Sequence, residues 1–172
     1  MTGYSLGSLV ILTALDHLAS LPPAQTAHIV QDVYLLGTPA PTDSLTWSRV
    51  RRVVTGRLVN AYTSAEDDYV LAILSRISIG SVTQGSFGVA GLQPVEVAGV
   101  ENVYIEGVEG HVTWRGVVGK CLEKCGLKDI RHAEVEKQGM IEERIKSEIE
   151  ENQRNLSPDN TDEALEGDTT RL

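Results

Sequence analysis

Basic clusters and long apolar runs are both missing from this sequence. The longest basic run, "RVRR" at 49–52, is too short to give the electrostatic footprint that nucleic-acid binding requires. The apolar stretch at 70–82 is interrupted by Arg76 and does not reach the roughly 20 residues that cross a bilayer. We therefore expect no nucleic-acid partner and no membrane span within this sequence.

Signals for secretion and for metal binding are missing too. The N-terminus shows no basic segment ahead of an apolar stretch and a small-residue cleavage site, which favours a cytoplasmic chain. The two cysteines, Cys121 and Cys125, stand four apart on a predicted helix with no companion ligands nearby. This arrangement favours reduced thiols that pack in the core over a metal site. We expect neither a metal ion nor a cofactor.

The 172 residues carry a formal net charge of -9, and most of it lies at the C-terminal end. Residues 134–172 hold 12 acidic and 5 basic side chains. Within them, Ile141, Ile145 and Ile149 make one narrow apolar stripe on a charged helix, and the polar segment that follows is predicted to be disordered. This acidic tail is a candidate surface for a protein partner.

Elsewhere the apolar spacing predicts strands that alternate with helices. Short apolar runs typical of buried parallel strands occur at 32–37, 56–63 and 100–107. Helical spacing occurs at 5–20, 41–54, 67–78 and 111–125. The glycine-rich stretch 78–95 is predicted to be a mobile loop. We predict an α/β domain over 1–130, with a short three-stranded parallel sheet flanked by helices, and a helical then disordered tail over 131–172.

A Gly-x-Ser-x-Gly pentapeptide, "GYSLG", stands at residues 3–7. In many hydrolases this pattern forms the sharp turn between a strand and a helix that presents a nucleophilic serine. Ser5 would then have a strained backbone, and Gly3 and Gly7 would avoid the collisions that side chains would cause there. The predicted helix follows at once, as the motif requires. The alternative is a glycine-rich helix start with no chemistry.

A serine nucleophile needs a base to take its proton and an acid to orient that base. In α/β-hydrolases these follow the serine in the order acid, then histidine, each after a later strand. Here Glu66, Asp67 and Asp68 follow the second predicted strand, and His111 follows the third. The acidic cluster could equally be a helix cap, and His111 could cap the last helix. The other histidines are expected to be solvated: His17, His28 and His132.

Seven stretches, in order, resemble the α/β-hydrolase-like family named after transmembrane and coiled-coil domains protein four. They are "GYSLGSLVI", "VYLLGTPAP", "WSRVRRVVTGRLVNAY", "DYVLAILSR", "VAGLQPV", "VENVYIEG" and "GHVTWR". The resemblance covers residues 3 to about 125 and implies a partial α/β-hydrolase fold with Ser5 as nucleophile and His111 as base. The family's "D-W-x-L" pattern matches "DYVL" and so implies Asp68 as the acid, with tyrosine in place of tryptophan.

The resemblance also implies that family members carry further elements before the pentapeptide. These are the first strands of the sheet, one loop of the oxyanion hole and membrane-spanning segments. The N–H of Leu6 would supply one oxyanion donor, and the earlier loop would supply the second. We expect this chain to represent the C-terminal half of such a domain, with weak hydrolysis, marginal stability and an open sheet edge. Membrane association would come only through the upstream segments.

Two functions follow from these expectations. The first is a serine hydrolase of lipase or esterase type, acting on a lipid or other acyl ester through Ser5, Asp68 and His111. The second is a non-catalytic, membrane-linked adaptor that keeps the hydrolase-like scaffold and binds a protein partner through its acidic tail.

Overall fold

A single parallel sheet organises the protein. The computed structural model describes residues 1–79, 88–108, 110, 111, 113–128 and 130–155. Within them the strands are β1 Thr2–Tyr4, β2 Val33–Leu36, β3 Leu58–Tyr62 and β4 Val100–Tyr104, in the order β1-β2-β3-β4 with every pair parallel. The predicted α/β class, with a parallel sheet flanked by helices, is confirmed.

Strand β1 corrects the three-stranded prediction. Gly3 lies in register with Leu35 of β2, and the backbone pairing continues at both ends of the short strand. The Tyr34 N–H donates to the Met1 carbonyl at 2.9 Å, and the Ser5 N–H donates to the Leu36 carbonyl at 2.9 Å. A strand this short shows no alternating pattern in sequence, which is why apolar periodicity misses it.

Six helices lie in the described part of the chain. They are α1 Leu6–Ser20, α2 Pro23–Thr26, α3 Ser44–Val53, α4 Tyr69–Ile79, α5 Trp114–Lys124 and α6 His132–Asn155. The four helices predicted for the domain correspond to α1, α3, α4 and α5, whereas the single turn of α2 was not predicted. Asp43 is the N-cap of α3, since its Oδ1 accepts from the Thr46 N–H at 2.8 Å.

The core lies on both faces of the sheet because β2 alternates its side chains between them. Val33 and Leu35 face one cluster, which contains Leu15 of α1 and Trp47 of α3. The alternate residues of β2 join a second cluster with Trp114 and both cysteines of α5. The cysteines are therefore packing thiols, as predicted. Burying one large apolar side chain stabilises a fold by about 1.5–3 kcal/mol, so the two clusters hold the helices in place.

The described part of the predicted mobile loop is packed against the ends of the strands. Ala90 and Val95 are fully buried, and the Gly91 N–H donates to the Thr38 carbonyl at 2.9 Å. The Asn102 side chain of β4 also binds both the N–H and the carbonyl of Val95. Residues 88–95 are thus fixed by hydrogen bonds, contrary to the prediction. Residues 80–87 lie outside the described residues.

Helix α6 forms in the first part of the acidic tail and packs on α5. The Gln138 side chain links the two helices, since it accepts from the Gly119 N–H and donates to the Arg115 carbonyl. Ile141 is half exposed on this helix. The side chains of Ile145 and Ile149, and the segment 156–172 predicted to be disordered, lie outside the described residues.

Candidate active site

Ser5 stands at the turn between β1 and α1 with a strained backbone. Its φ of 51° and ψ of -124° are unusual for a residue with a side chain, and such a conformation costs about 1–3 kcal/mol. Gly3 allows the turn, because a Cβ there would lie 2.7 Å from Ile11 Cδ1 and 2.8 Å from the Ser8 backbone. The same expectation for Gly7 is wrong, since a Cβ at that position would meet nothing within 4 Å.

The His111 ring lies between Ser5 and Asp68. Its Nε2 lies 2.6 Å from Ser5 Oγ, and its Nδ1 lies 3.0 Å from Asp68 Oδ2. The three residues follow β1, β3 and β4, so the carboxyl ends of parallel strands bring them to one edge of the sheet. The structure therefore brings together the three side chains that sequence order and family resemblance had selected.

Asp68 is fully buried, and the N–H groups around it account for both of its oxygens. Oδ1 accepts from the Leu71 N–H in the first turn of α4 at 2.9 Å, so the same residue also caps a helix. Oδ2 accepts from the indole Nε1 of Trp114 at 3.0 Å and faces His111. The two other members of the acidic cluster are elsewhere: Glu66 is exposed, and Asp67 accepts from Ser64 Oγ at 2.7 Å.

Two aromatic side chains that sequence reasoning did not single out complete the site. The Tyr4 hydroxyl donates to the His111 carbonyl, and the two rings stack with centroids 5.4 Å apart. Trp114 is fully buried and lies 6.4 Å from the Tyr4 ring, centroid to centroid. Tyr4 occupies a variable position of the pentapeptide, and Trp114 belongs to the "GHVTWR" stretch. Only their nearness in sequence to Ser5 and His111 could have indicated that they lie at the site.

Leu6 is the first residue of α1, directly after the serine. The first N–H groups of a helix have no acceptor within that helix, so this backbone donor is available to an oxyanion at Ser5. The role of Leu6 as an oxyanion donor stays a prediction. Its side chain is about half exposed.

The remaining histidines are exposed, as predicted for them. His132 follows α5 in the sequence, and its Nδ1 lies 2.6 Å from Glu123 Oε1. His28 lines a cavity of about 270 Å³ together with residues from the ends of α1 and α3. No cluster of three or more potential metal ligands occurs in the part of the chain that the structure describes.

These contacts define a parallel α/β protein with a Ser–His–Asp chain of hydrogen bonds at the carboxyl edge of its sheet. The chain belongs to the family described as "Protein of unknown function (DUF726)", whose sequence model matches residues 1–128. This match, and the names of the relatives, confirm the family resemblance found in the sequence.

Three relatives show how this chain compares with longer proteins. "Uncharacterized membrane protein C6F6.13c" of Schizosaccharomyces pombe is 37% identical over 151 residues, which are 86% of this chain and 24% of that protein. "Transmembrane and coiled-coil domain-containing protein STS1" of Oryza sativa subsp. japonica is 37% identical over 128 residues, 74% of this chain and 18% of that protein. "Probable lipase MIL1" of Saccharomyces cerevisiae is 33% identical over 161 residues, 92% of this chain and 14% of that protein.

The chain thus spans about a quarter or less of the length of these relatives. No solved structure matches it. Two relatives carry membrane or transmembrane in their names. Among the residues that the structure describes, none of the helices combines the length and apolar character that crossing a bilayer requires.

Proposed function

We propose that this chain carries the nucleophile, base and acid of a serine hydrolase on a partial α/β-hydrolase fold. The observation that supports the proposal is the continuous series of short contacts from Ser5 Oγ through the His111 ring to the buried Asp68 carboxylate. The strained backbone of Ser5 supports it as well, because strain of this kind concentrates at functional sites.

The proposed reaction divides between these three side chains. His111 Nε2 accepts the proton from Ser5 Oγ as this oxygen attacks the ester carbonyl, and Asp68 holds the Nδ1–H so that Nε2 is the free acceptor. The imidazolium then donates its proton to the departing alcohol, which leaves an acyl group on Ser5. His111 then takes a proton from a water molecule as this water attacks the acyl ester, and it returns the proton to Ser5 Oγ as the bond from the acyl carbon to Ser5 Oγ breaks and the carboxylic acid leaves. The Leu6 N–H stabilises the negative oxygen of each tetrahedral intermediate.

The proposed substrate is a lipid or another ester with an apolar acyl group. We take this substrate class from one relative, which is named a probable lipase. The exposed side chains of Leu6 and Val10 on α1 follow the nucleophile closely and offer an apolar surface for an acyl chain. We further propose that this chain works in association with a membrane, because two of its relatives have membrane or transmembrane in their names.

The adaptor function has less support from the site. A protein that only binds a partner needs neither a strained serine nor a buried carboxylate aligned with an imidazole. Both features cost folding free energy, since a buried charge must be compensated by hydrogen bonds. We therefore propose the hydrolase over the adaptor.

A fluorophosphonate probe tests the hydrolase directly, because it forms a covalent bond only with an activated serine. The 172-residue chain is incubated with the probe, and the modified peptide is located by mass spectrometry. Label on Ser5 that disappears in Ser5→Ala and persists in Ser20→Ala supports the proposal, since Ser20 is an exposed serine at the other end of α1. A wild-type chain that is folded and takes no label on Ser5 overturns it.

A further inference from the structure

We infer that Trp114 is a positioning residue for the acid of this site, an inference that rests on the proposed function. The indole Nε1 lies 3.0 Å from Asp68 Oδ2, the same oxygen that faces His111 Nδ1. Trp114 therefore acts on the nucleophile through two other side chains and has no predicted contact with substrate.

The hydrogen-bond donors around Asp68 explain how the Trp114 indole acts on His111. Trp114 Nε1 and the Leu71 N–H can only donate, so both oxygens of Asp68 are acceptors. His111 must then present Nδ1 as N–H to Oδ2, which leaves Nε2 unprotonated opposite Ser5 Oγ. This is the tautomer that a general base needs. Two fixed donors on different oxygens also prevent the buried carboxylate from rotating away from the imidazole.

The Trp114 indole packs against the backbone that follows β2. Gly37, directly after β2, has a φ of 55°, and a Cβ there would lie 3.2 Å from Trp114 Cε2. A larger residue at this position would both strain the backbone and press on the ring. Tyr4, the residue before Ser5, has its ring centroid 6.4 Å from that of Trp114 and donates a hydrogen bond to the His111 carbonyl. One buried indole thus binds Asp68 and lies close to Tyr4, the residue that precedes Ser5.

The competing explanation is that Trp114 only fills the core, and Trp47 provides a matched control for it. Both indoles are fully buried, and each ring N–H has an oxygen acceptor. Trp47 donates to the Pro41 carbonyl at 2.9 Å, in the cluster on the other face of the sheet. Replacing either tryptophan by phenylalanine exchanges a buried indole for a smaller ring and removes one N–H. Only Trp114→Phe removes a hydrogen-bond donor to Asp68.

The test compares the rate of fluorophosphonate labelling of Ser5 in Trp114→Phe and Trp47→Phe. Because Trp114→Phe removes a hydrogen bond to a charged group, we expect its labelling to slow by about 10- to 100-fold, which is about 1.4–2.8 kcal/mol at 1.4 kcal/mol per factor of ten. We expect Trp47→Phe to label within about twofold of wild type. Equal labelling rates for Trp114→Phe and wild type would overturn the inference while leaving the proposed function intact.

A second measurement covers the cases in which Trp114→Phe fails to fold or the wild-type chain takes no label. In the Trp47→Phe background, biosynthetic incorporation of benzothienylalanine replaces only Trp114, keeps the ring shape and removes the N–H. Proton NMR then follows the downfield signal of His111 Nδ1–H. We expect this signal to weaken or move in the substituted protein relative to Trp47→Phe alone. An unchanged signal would overturn the positioning role, whether or not Ser5 is labelled.

Discussion

Ser8 in the first turn of α1 makes two hydrogen bonds to one residue of β2. Its Oγ donates to the Leu36 carbonyl at 3.1 Å and accepts from the Leu36 N–H at 3.2 Å. The Ser5 N–H donates to the same carbonyl. The helix that follows Ser5 is therefore held to the neighbouring strand by a buried hydroxyl, and this contact fixes where the turn at Ser5 lies.

Replacing Ser8 by alanine should destabilise the fold and slow labelling of Ser5. The substitution removes the two side-chain hydrogen bonds between Ser8 and Leu36, and a buried hydrogen bond contributes about 0.5–1.5 kcal/mol. The free energy of unfolding in urea measures it, with Ser20→Ala as the control because Ser20 is exposed. Equal stability of the two variants would contradict the structural role of Ser8.

The two glycines of the pentapeptide should respond to alanine in opposite directions. At Gly3 the new Cβ meets the Ser8 backbone at 2.8 Å, which cannot move without shifting the helix, so we expect a loss of about 1–3 kcal/mol. At Gly7 the new Cβ has no neighbour within 4 Å and lies in a helix, so we expect a gain of about 0.5–1 kcal/mol. Chemical unfolding compares the two variants. A stable Gly3→Ala protein would show that the turn is not as tight as described.

Asp68→Asn should nearly abolish the activation of Ser5 while Asp67→Asn should not. An amide can present N–H to His111, which favours the wrong imidazole tautomer, and in serine proteases this change costs about 10⁴-fold. Asp67 contacts Ser64 and Tyr104 and not His111, so it serves as the matched control. Labelling kinetics at neutral pH provide the measurement. Similar rates for the two variants would exclude Asp68 as the acid.

The two cysteine thiols should be unreactive in the folded chain. Burial, with Cys125 nearby, raises the pKa of Cys121 to about 12, and burial raises the pKa of Cys125 to about 11. At pH 8 the thiolate fraction of either is then about one in a thousand or less. Only the protonated thiols are compatible with burial, so their contribution to the free energy of unfolding is complete below about pH 9, the pKa of an unfolded cysteine. It declines above that pH, because the unfolded chain can then lose these protons while the folded chain keeps them. Thiol titration at pH 8 should detect no cysteine without denaturant and both in urea; rapid reaction of the folded chain would contradict this.

Sequence reasoning selected the three side chains that the structure brings into contact. The order serine, acid, histidine at strand ends selected Ser5 and His111, and family resemblance selected Asp68; their catalytic roles stay predictions. Sequence reasoning failed where packing decides. Strand β1 is too short for a periodic pattern, and Gly7 needs no space although the motif repeats glycine there. Trp114 was not singled out because a tryptophan in a helix is ordinarily a core residue, and only the three-dimensional structure shows which oxygen accepts from its N–H.

The position of β1 has a consequence for how the contacts of Ser5 would be lost. In the described sheet β1 is the edge strand, held on one side only, whereas Asp68 and His111 follow β3 and β4 at the other end of the strand order. Fraying at β1 would carry the serine away while the carboxylate and imidazole remain hydrogen-bonded to each other. In the 172-residue chain, the contact between Ser5 and His111 would thus be lost below the temperature of global melting, while the hydrogen bond between His111 and Asp68 would persist.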